Sequence, residues 1–320
     1  MRVLGKGSSS STRLRVVDGF YPQFKELRSF FETVMGDPRG ADPRRFCWDL
    51  WNVPNQYRLL RTPAYLFFPK PIYEPFHQRL ALWGREVLGC HDLSPPWLSA
   101  YVDGCEQQFH ADLPHGPWAF VYSLTPWKKS GSGMPPFKGG ETLLLREEIL
   151  QFWEQKALGD ETGLEESQVL ERIPPYLDRL TVFDPRIPHG VSRVEGPQSV
   201  LEARLVIHGW FVNPRPFIQG KLKERTLSSA IDQLLGSLDR LLQDPKWSGA
   251  RLQGMLSLRF LVGELGQVVA PEVLVSSLRA PARWPQLPER VSTHLVSRLS
   301  ELSFGAGAQG SKVTLPILFG

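Results

Sequence analysis

Five short apolar runs lie between Trp97 and Val212: WLSAYV (97–102), WAFVYSL (118–124), ETLLL (141–145), RLTVF (179–183) and ARLVIHGWFV (203–212). They are rich in β-branched and aromatic side chains and are punctuated by Gly, Pro and Asp. Brief runs of this kind at this spacing predict an all-β sandwich or barrel. A helical insertion is expected around 147–158.

Upstream, RLRVVDGFY (13–21) reads as a strand ending in a turn. From Pro22 onward Phe24, Leu27, Phe30, Phe31 and Val34 follow helical spacing. Residues 38–72, rich in Pro, Arg and Trp, have no steady period and predict loop with short strands. Phe76, Leu80, Leu82, Trp83 and Val87 predict a second amphipathic helix ending near Gly89.

Beyond Pro216 the period changes. Leu227, Ala230, Ile231, Leu234, Leu235, Leu238, Leu241 and Leu242 form one face of a helix begun by Thr226. Further helical segments are predicted at about 249–266, 271–279 and 287–304. The charge divides at the same place: residues 217–320 hold 12 Lys/Arg against 8 Asp/Glu, while the first 216 balance at 25 against 25. The expected organisation is therefore a loose tail (1–12), a β domain (13–216) and a helical C-terminal extension (217–320). That leucine stripe is expected to pack on the barrel or to form a homodimer interface.

Composition narrows the function classes. At 320 residues, with 42% hydrophobic and 22% charged side chains, the chain has enough apolar material for a substantial core. The net charge of +4 is mild and argues against a dedicated nucleic-acid binder. Cys47, Cys90 and Cys105 are too few and scattered for a disulfide framework or a zinc ribbon, so a reducing, cytoplasmic setting is expected. No stretch is long and apolar enough to suggest a membrane span.

The chemistry-bearing residues begin with FHAD. His110 and Asp112 stand two apart on a predicted strand, so both are expected to project from one face and grip one metal ion. Alone the triplet is weak, since a surface histidine beside a turn aspartate looks the same. A third candidate ligand, His189, follows the run RLTVF. Two histidines and one carboxylate form the facial triad that leaves open positions on ferrous iron. Arg204, fifteen residues further on, opens a strand and carries an always-charged fork suited to a carboxylate, although a strand arginine serves equally as a surface ion-pair partner. His208, four beyond, either lines the same pocket or faces the core. Gly139 and Gly140 read as a turn, because no Walker lysine follows them in the right context.

Taken together these stretches resemble the iron(II)/2-oxoglutarate-dependent dioxygenases, in particular their prolyl-4-hydroxylase-like branch. The matching motifs occur in the family's order. They are Y-x-x-G-x-x-x-x-x-H-x-D at Tyr101–Asp112, the strand Trp118–Leu124, F-x-G-G-E-T at Phe137–Thr142, L-T-V-F…P-H-x-V-x-x-V at Leu180–Val194, and R-x-x-x-x-G-W-F at Arg204–Phe211. The opening RVVDGFYPQF extends the likeness to most of residues 13–215. One departure is a longer gap from His189 to Arg204, filled by the polar stretch VEGPQSVLE.

The resemblance implies a mainly β fold with helices: a double-stranded β-helix, or jelly-roll, cupin-like barrel, with N-terminal supporting helices. It implies that His110, Asp112 and His189 ligate Fe(II), that Arg204 pairs with 2-oxoglutarate, and that Tyr101 is a second co-substrate contact. Dioxygen would be the second co-substrate and ascorbate an auxiliary reductant. The implied reaction hydroxylates a C–H bond of a protein residue, prolyl or other, or of a small metabolite, and converts 2-oxoglutarate to succinate and CO2. The different-class alternative is a catalytically silent jelly-roll scaffold. The segment 125–140, with Lys128 and Lys129, reads as a solvated loop or as a lid over the barrel mouth.

Overall fold

The computed structural model describes residues 13–112, 115–127, 137–146, 149 and 166–320. The tail 1–12, the lysine pair of the 125–140 loop and nearly all of the insertion expected at 147–158 lie outside them. The described residues fall into two units: Leu14–Leu82 with Asp92–Val212, and Trp83–His91 with Arg13 and Asn213–Gly320.

The strands preceding the barrel proper are β1 (Leu14–Asp18), β2 (Asp49–Val53), β3 (Tyr57–Pro63) and β4 (Cys90–Leu93). Then come β5 (Trp97–Tyr101), β6 (Glu106–His110), β7 (Trp118–Ser123), β8 (Thr142–Leu145), β9 (Leu170–Ile173), β10 (Arg179–Phe183), β11 (His189–Val191) and β12 (Arg204–Pro214). Ten of them pair in the order β1-β10-β7-β12-β5-β3-β6-β11-β8-β9, while β2 pairs with β3 and β4 with β12 off that path. Strands β5 to β12 thus form two four-stranded arrays, β10-β7-β12-β5 and β6-β11-β8-β9, and the chain alternates between them except at the β8–β9 pair. That is the jelly-roll, or double-stranded β-helix, and it turns sequence-distant motifs into neighbours. His189 lies opposite His110, and Arg204 lies opposite Tyr101.

The N-terminal helix Phe24–Gly36 buries Leu27, Phe31 and Val34. Helix Lys70–Trp83 brings Phe76 onto Tyr122 of β7, ring centroids 4.7 Å apart. Its continuation, one π-helical turn over Gly84–Leu88, stops at Gly89, whose φ of 74° closes the end with a bond to the Gly84 carbonyl. The expected stop at Gly89 is therefore present, with its left-handed residue as the cause.

The C-terminal unit corrects the expectation of a helical extension. Two helices are present, Glu224–Leu242 and Leu287–Ser300, but the segments expected as helices at 249–266 and 271–279 are strands. β13 (Phe217–Gln219), β14 (Gly254–Val262), β15 (Val268–Ser276) and β16 (Lys312–Phe319) form a four-stranded antiparallel sheet ordered β13-β16-β14-β15. Met255, Leu256, Ser257 and Leu258 are consecutive and all buried, so both faces of β14 are covered. A strand covered on both faces reads as an unbroken apolar run, and periodicity alone does not separate that run from a buried helix. Leu227, Leu234 and Leu238 join Val291, Leu295 and Leu299 in one core with Leu256, Leu258, Phe260 and Leu315. The leucine stripe is thus largely consumed by its own unit's sheet.

Candidate active site

β6 ends at His110, so the expectation of Asp112 on the strand is corrected: Asp112 lies two residues past its end. What holds it is the turn Asp184–Pro188. Fully buried Asp184 accepts bonds from the Arg186 backbone and guanidinium, and the Pro185 carbonyl then accepts the Asp112 amide at 2.9 Å. His189 follows directly on β11. One ligand atom from each of His110, Asp112 and His189 lies within 4.8 Å of the others.

The protonation of this cluster follows from its neighbours. His110 Nδ1 donates to the Gln108 carbonyl and His189 Nδ1 to the Ile187 carbonyl, both at 2.8 Å. The Nε2 lone pairs then face Asp112, at 3.4 Å for His110 and 3.3 Å for His189. With each Nδ1–H held by a backbone carbonyl, both Nε2 atoms and the Asp112 carboxylate are turned toward one point, the arrangement in which histidines hold a metal ion. Metal–ligand bonds of about 2.1 Å at right angles place donor atoms roughly 3 Å apart, close to this spacing. The residues therefore fit a divalent ion. Burial pushes Asp112 up, but the two imidazoles override it and hold the carboxyl well below its ordinary value. Burial pulls His110 down, and Asp112 with the Gln108 carbonyl more than offsets it, leaving His110 raised.

Behind the triad lies a buried arginine. Arg204 is 1% exposed, its Nη2 donates to Thr142 Oγ1 at 3.1 Å, and its guanidinium carbon stands 4.5 Å from the Tyr101 ring centroid. Its Nε and Nη1 are buried with no hydrogen-bond partner. Burial pulls its pKa down, opposed by Tyr101 and Glu141. A buried guanidinium with two unpartnered nitrogens fits a bound carboxylate. Tyr101, raised by burial, keeps its proton and donates to Gln107 Oε1 at 3.2 Å; the Gln107 amide nitrogen lies 3.2 Å from His110 Nε2. Gln107 and Thr142 were not among the residues singled out from the sequence, because their partners come from neighbouring strands.

His208 faces the same interior. Its Nε2 is 2.8 Å from Ser99 Oγ on β5, and burial, with Arg204 adding to it, lowers its pKa to about 4. The folded state therefore keeps His208 neutral where the unfolded chain, at about 6.5, takes up a proton. Stability is expected to fall as pH drops from about 6.5 toward 4, and His208→Gln to flatten part of that slope in pH-dependent melts. An unchanged slope would contradict the assignment.

Gly139 and Gly140 have φ of 73° and 76°, which bears out the turn reading. A Cβ on Gly139 would lie 1.8 Å from the Arg193 carbonyl oxygen. Gly139→Ala is expected to cost at least about 2 kcal/mol and to lower the thermal midpoint by roughly 5 °C. A midpoint within a degree of wild type would contradict this backbone contact.

Residues 96–212 match the family model of the 2OG-Fe(II) oxygenase superfamily. The matched stretch contains the triad, Tyr101, Arg204 and His208. No curated protein matches the chain. Among solved structures, a Pseudomonas putida prolyl-4-hydroxylase is 14% identical, covering 63% of this chain and 92% of that one, with a TM-score of 0.41. HygX from Streptomyces hygroscopicus, solved with nickel and 2-oxoglutarate, is 15% identical over 62% of this chain and 82% of its own, TM-score 0.40. A Trichoplax adhaerens prolyl hydroxylase, in complex with a hypoxia inducible factor peptide, is 15% identical over 62% and 83%, TM-score 0.37. No helix among the described residues is long and apolar enough to cross a membrane.

Proposed function

We propose that the oxygenase domain hydroxylates a C–H bond of its substrate, with His110, Asp112 and His189 holding Fe(II) and Arg204 holding 2-oxoglutarate. The observation that carries this reading is the convergence of three acceptor atoms beside a buried guanidinium with two unpaired nitrogens. When bound, ferrous iron supplies the activation of dioxygen, coupled to conversion of 2-oxoglutarate to succinate and CO2.

The chain's own residues bind and orient. The carbonyls of Gln108 and Ile187 fix the imidazole tautomers, and the Pro185 carbonyl holds the Asp112 backbone. Arg204, steadied by Thr142 and the Tyr101 ring, offers its buried guanidinium to the distal carboxylate of the co-substrate. Tyr101 keeps its hydroxyl proton and lends a donor near that group. Neutral His208 adds no charge to compete with Arg204 for the anion. Phe183, its ring centroid 4.8 Å from that of His189, and Val121 keep the interior apolar.

The substrate in this reading is a protein side chain, prolyl or other, or a small molecule. A silent scaffold is the weaker reading, since a scaffold has no use for an unpaired buried arginine. The test is succinate formation from 2-oxoglutarate by purified protein with ferrous iron and ascorbate. Turnover in wild type and its loss in His110→Ala is the expected result; equal turnover in both would overturn the assignment.

A further inference from the structure

The oxygenase reading leaves one charged group on the sheet face that carries Arg204 without a role. Arg61 on β3 lies opposite Ser99 on β5, and Ser99 lies opposite Val206 on β12. Residues opposite one another share a face, so Arg61 is on the face that carries Arg204, Val206 and His208. The Ser99–His208 contact bears out that orientation.

The Arg61 guanidinium is clamped. Its central carbon lies 3.3 Å from the Trp51 ring centroid and 4.1 Å from that of Trp97. Stacking between two indoles fixes the plane of the fork while using none of its N–H donors. Among the described residues no hydrogen bond or ion pair reaches those donors, from Asp49 directly opposite on β2 or from elsewhere, and Nε is buried without a partner. A group that merely filled the slot between two indoles would do so as an apolar chain, without the cost of drawing a guanidinium out of water. Arg61 is also close enough to His208 for its charge to contribute, after burial and Arg204, to keeping that imidazole neutral.

Resting on the oxygenase reading above, we propose that Arg61, clamped between Trp51 and Trp97, anchors the oxidisable substrate, and that this substrate carries a carboxylate. A single planar fork with covered faces and a free edge matches a planar, two-oxygen acceptor. Arg61 acts here as a binding and specificity residue, apart from the co-substrate site at Arg204.

The carboxylate has three sources, which matched probes separate: L-amino acids against their primary amides, short peptide pools with free against amidated C termini, and pools with central Asp or Glu against Asn or Gln. Two readouts are used, stimulation of succinate formation and quenching of tryptophan fluorescence, because an acid on Arg61 sits beside Trp51 and Trp97. In one set the acids are expected to stimulate and quench while the amides do neither. For the active acid, Arg61→Met is expected to raise KM roughly a hundredfold, and Arg61→Lys, which keeps the charge but loses the fork, roughly tenfold. Calorimetric 2-oxoglutarate affinity reports whether each variant's barrel is intact, and the acid–amide contrast in wild type does not depend on any variant folding. Equal responses to acids and amides, no response to any acid while wild type turns over 2-oxoglutarate, or an unchanged KM in Arg61→Met would overturn the proposal. A wild type that neither binds nor turns over 2-oxoglutarate would instead overturn the oxygenase reading, and the anchor with it.

Discussion

Arg204→Met is expected to abolish 2-oxoglutarate binding while leaving the ligand-free protein at least as stable as wild type. The two effects have one cause. Arg204 is 1% exposed, has two orphaned nitrogens and takes only one side-chain bond, to Thr142. Taking a guanidinium out of water without a full set of partners is unfavourable, so an apolar chain of similar length removes that cost. Loss of a buried charge-assisted pair typically costs about 3–5 kcal/mol, a rise in Kd of roughly 10²- to 10⁴-fold. Wild type should gain about 2.7 kcal/mol of stability from 2-oxoglutarate at a hundred times its Kd, and the variant should gain nothing. Thermal melts with and without the ligand check both halves. A variant that melts far below wild type yet still responds to 2-oxoglutarate would show Arg204 to be a structural group.

Asp112→Asn is expected to have the other large effect. The change keeps the shape of the side chain and removes its charge, so the fold should survive, with the Asp112 backbone amide still on the Pro185 carbonyl. What is lost is the anion between two imidazole nitrogens at 3.4 and 3.3 Å. Ferrous iron affinity should fall by about two orders of magnitude or more, and turnover with it. A sign follows for pH. His110 is held above its ordinary value, so in the metal-free site a proton competes with the metal to higher pH than at a free imidazole. Metal affinity should therefore rise with pH through and somewhat above 6.5 in wild type. In Asp112→Asn the carboxylate's share of the raising influence is gone and only the Gln108 carbonyl's remains, so that dependence should shift to lower pH. Iron titrations across pH read both effects; unchanged affinity in the variant would remove Asp112 from the ligand set.

How much of this was legible in the sequence depends on which contacts are local. The barrel runs announced themselves because each strand from β5 to β12 that was foreseen is short, apolar and bounded by turn residues. Gly139 and Gly140 were readable as a turn, since their positive φ is a property of the residue type. Asp112 was expected on a strand and lies beyond it, because the turn that holds it, Asp184–Pro188, is more than seventy residues away. Gln107 and Arg61 carried no readable signal, and Thr142 was visible only as the end of the F-x-G-G-E-T motif: their neighbours are Tyr101 and His110, the two indoles, and Arg204, all brought together by pairing between strands. In the C-terminal unit β14 was mistaken for a helix because both of its faces are buried, which erases the alternation that marks a half-exposed strand.

The central claim is that the triad and Arg204 together hold one metal–co-substrate pair. The most direct test is calorimetric titration of 2-oxoglutarate into the purified protein without oxygen, with and without ferrous iron. The structure predicts binding of one equivalent that tightens sharply with the metal, with the tightening lost in Asp112→Asn and the binding itself lost in Arg204→Met. Binding indifferent to the metal, or absent from wild type under both conditions, would contradict it.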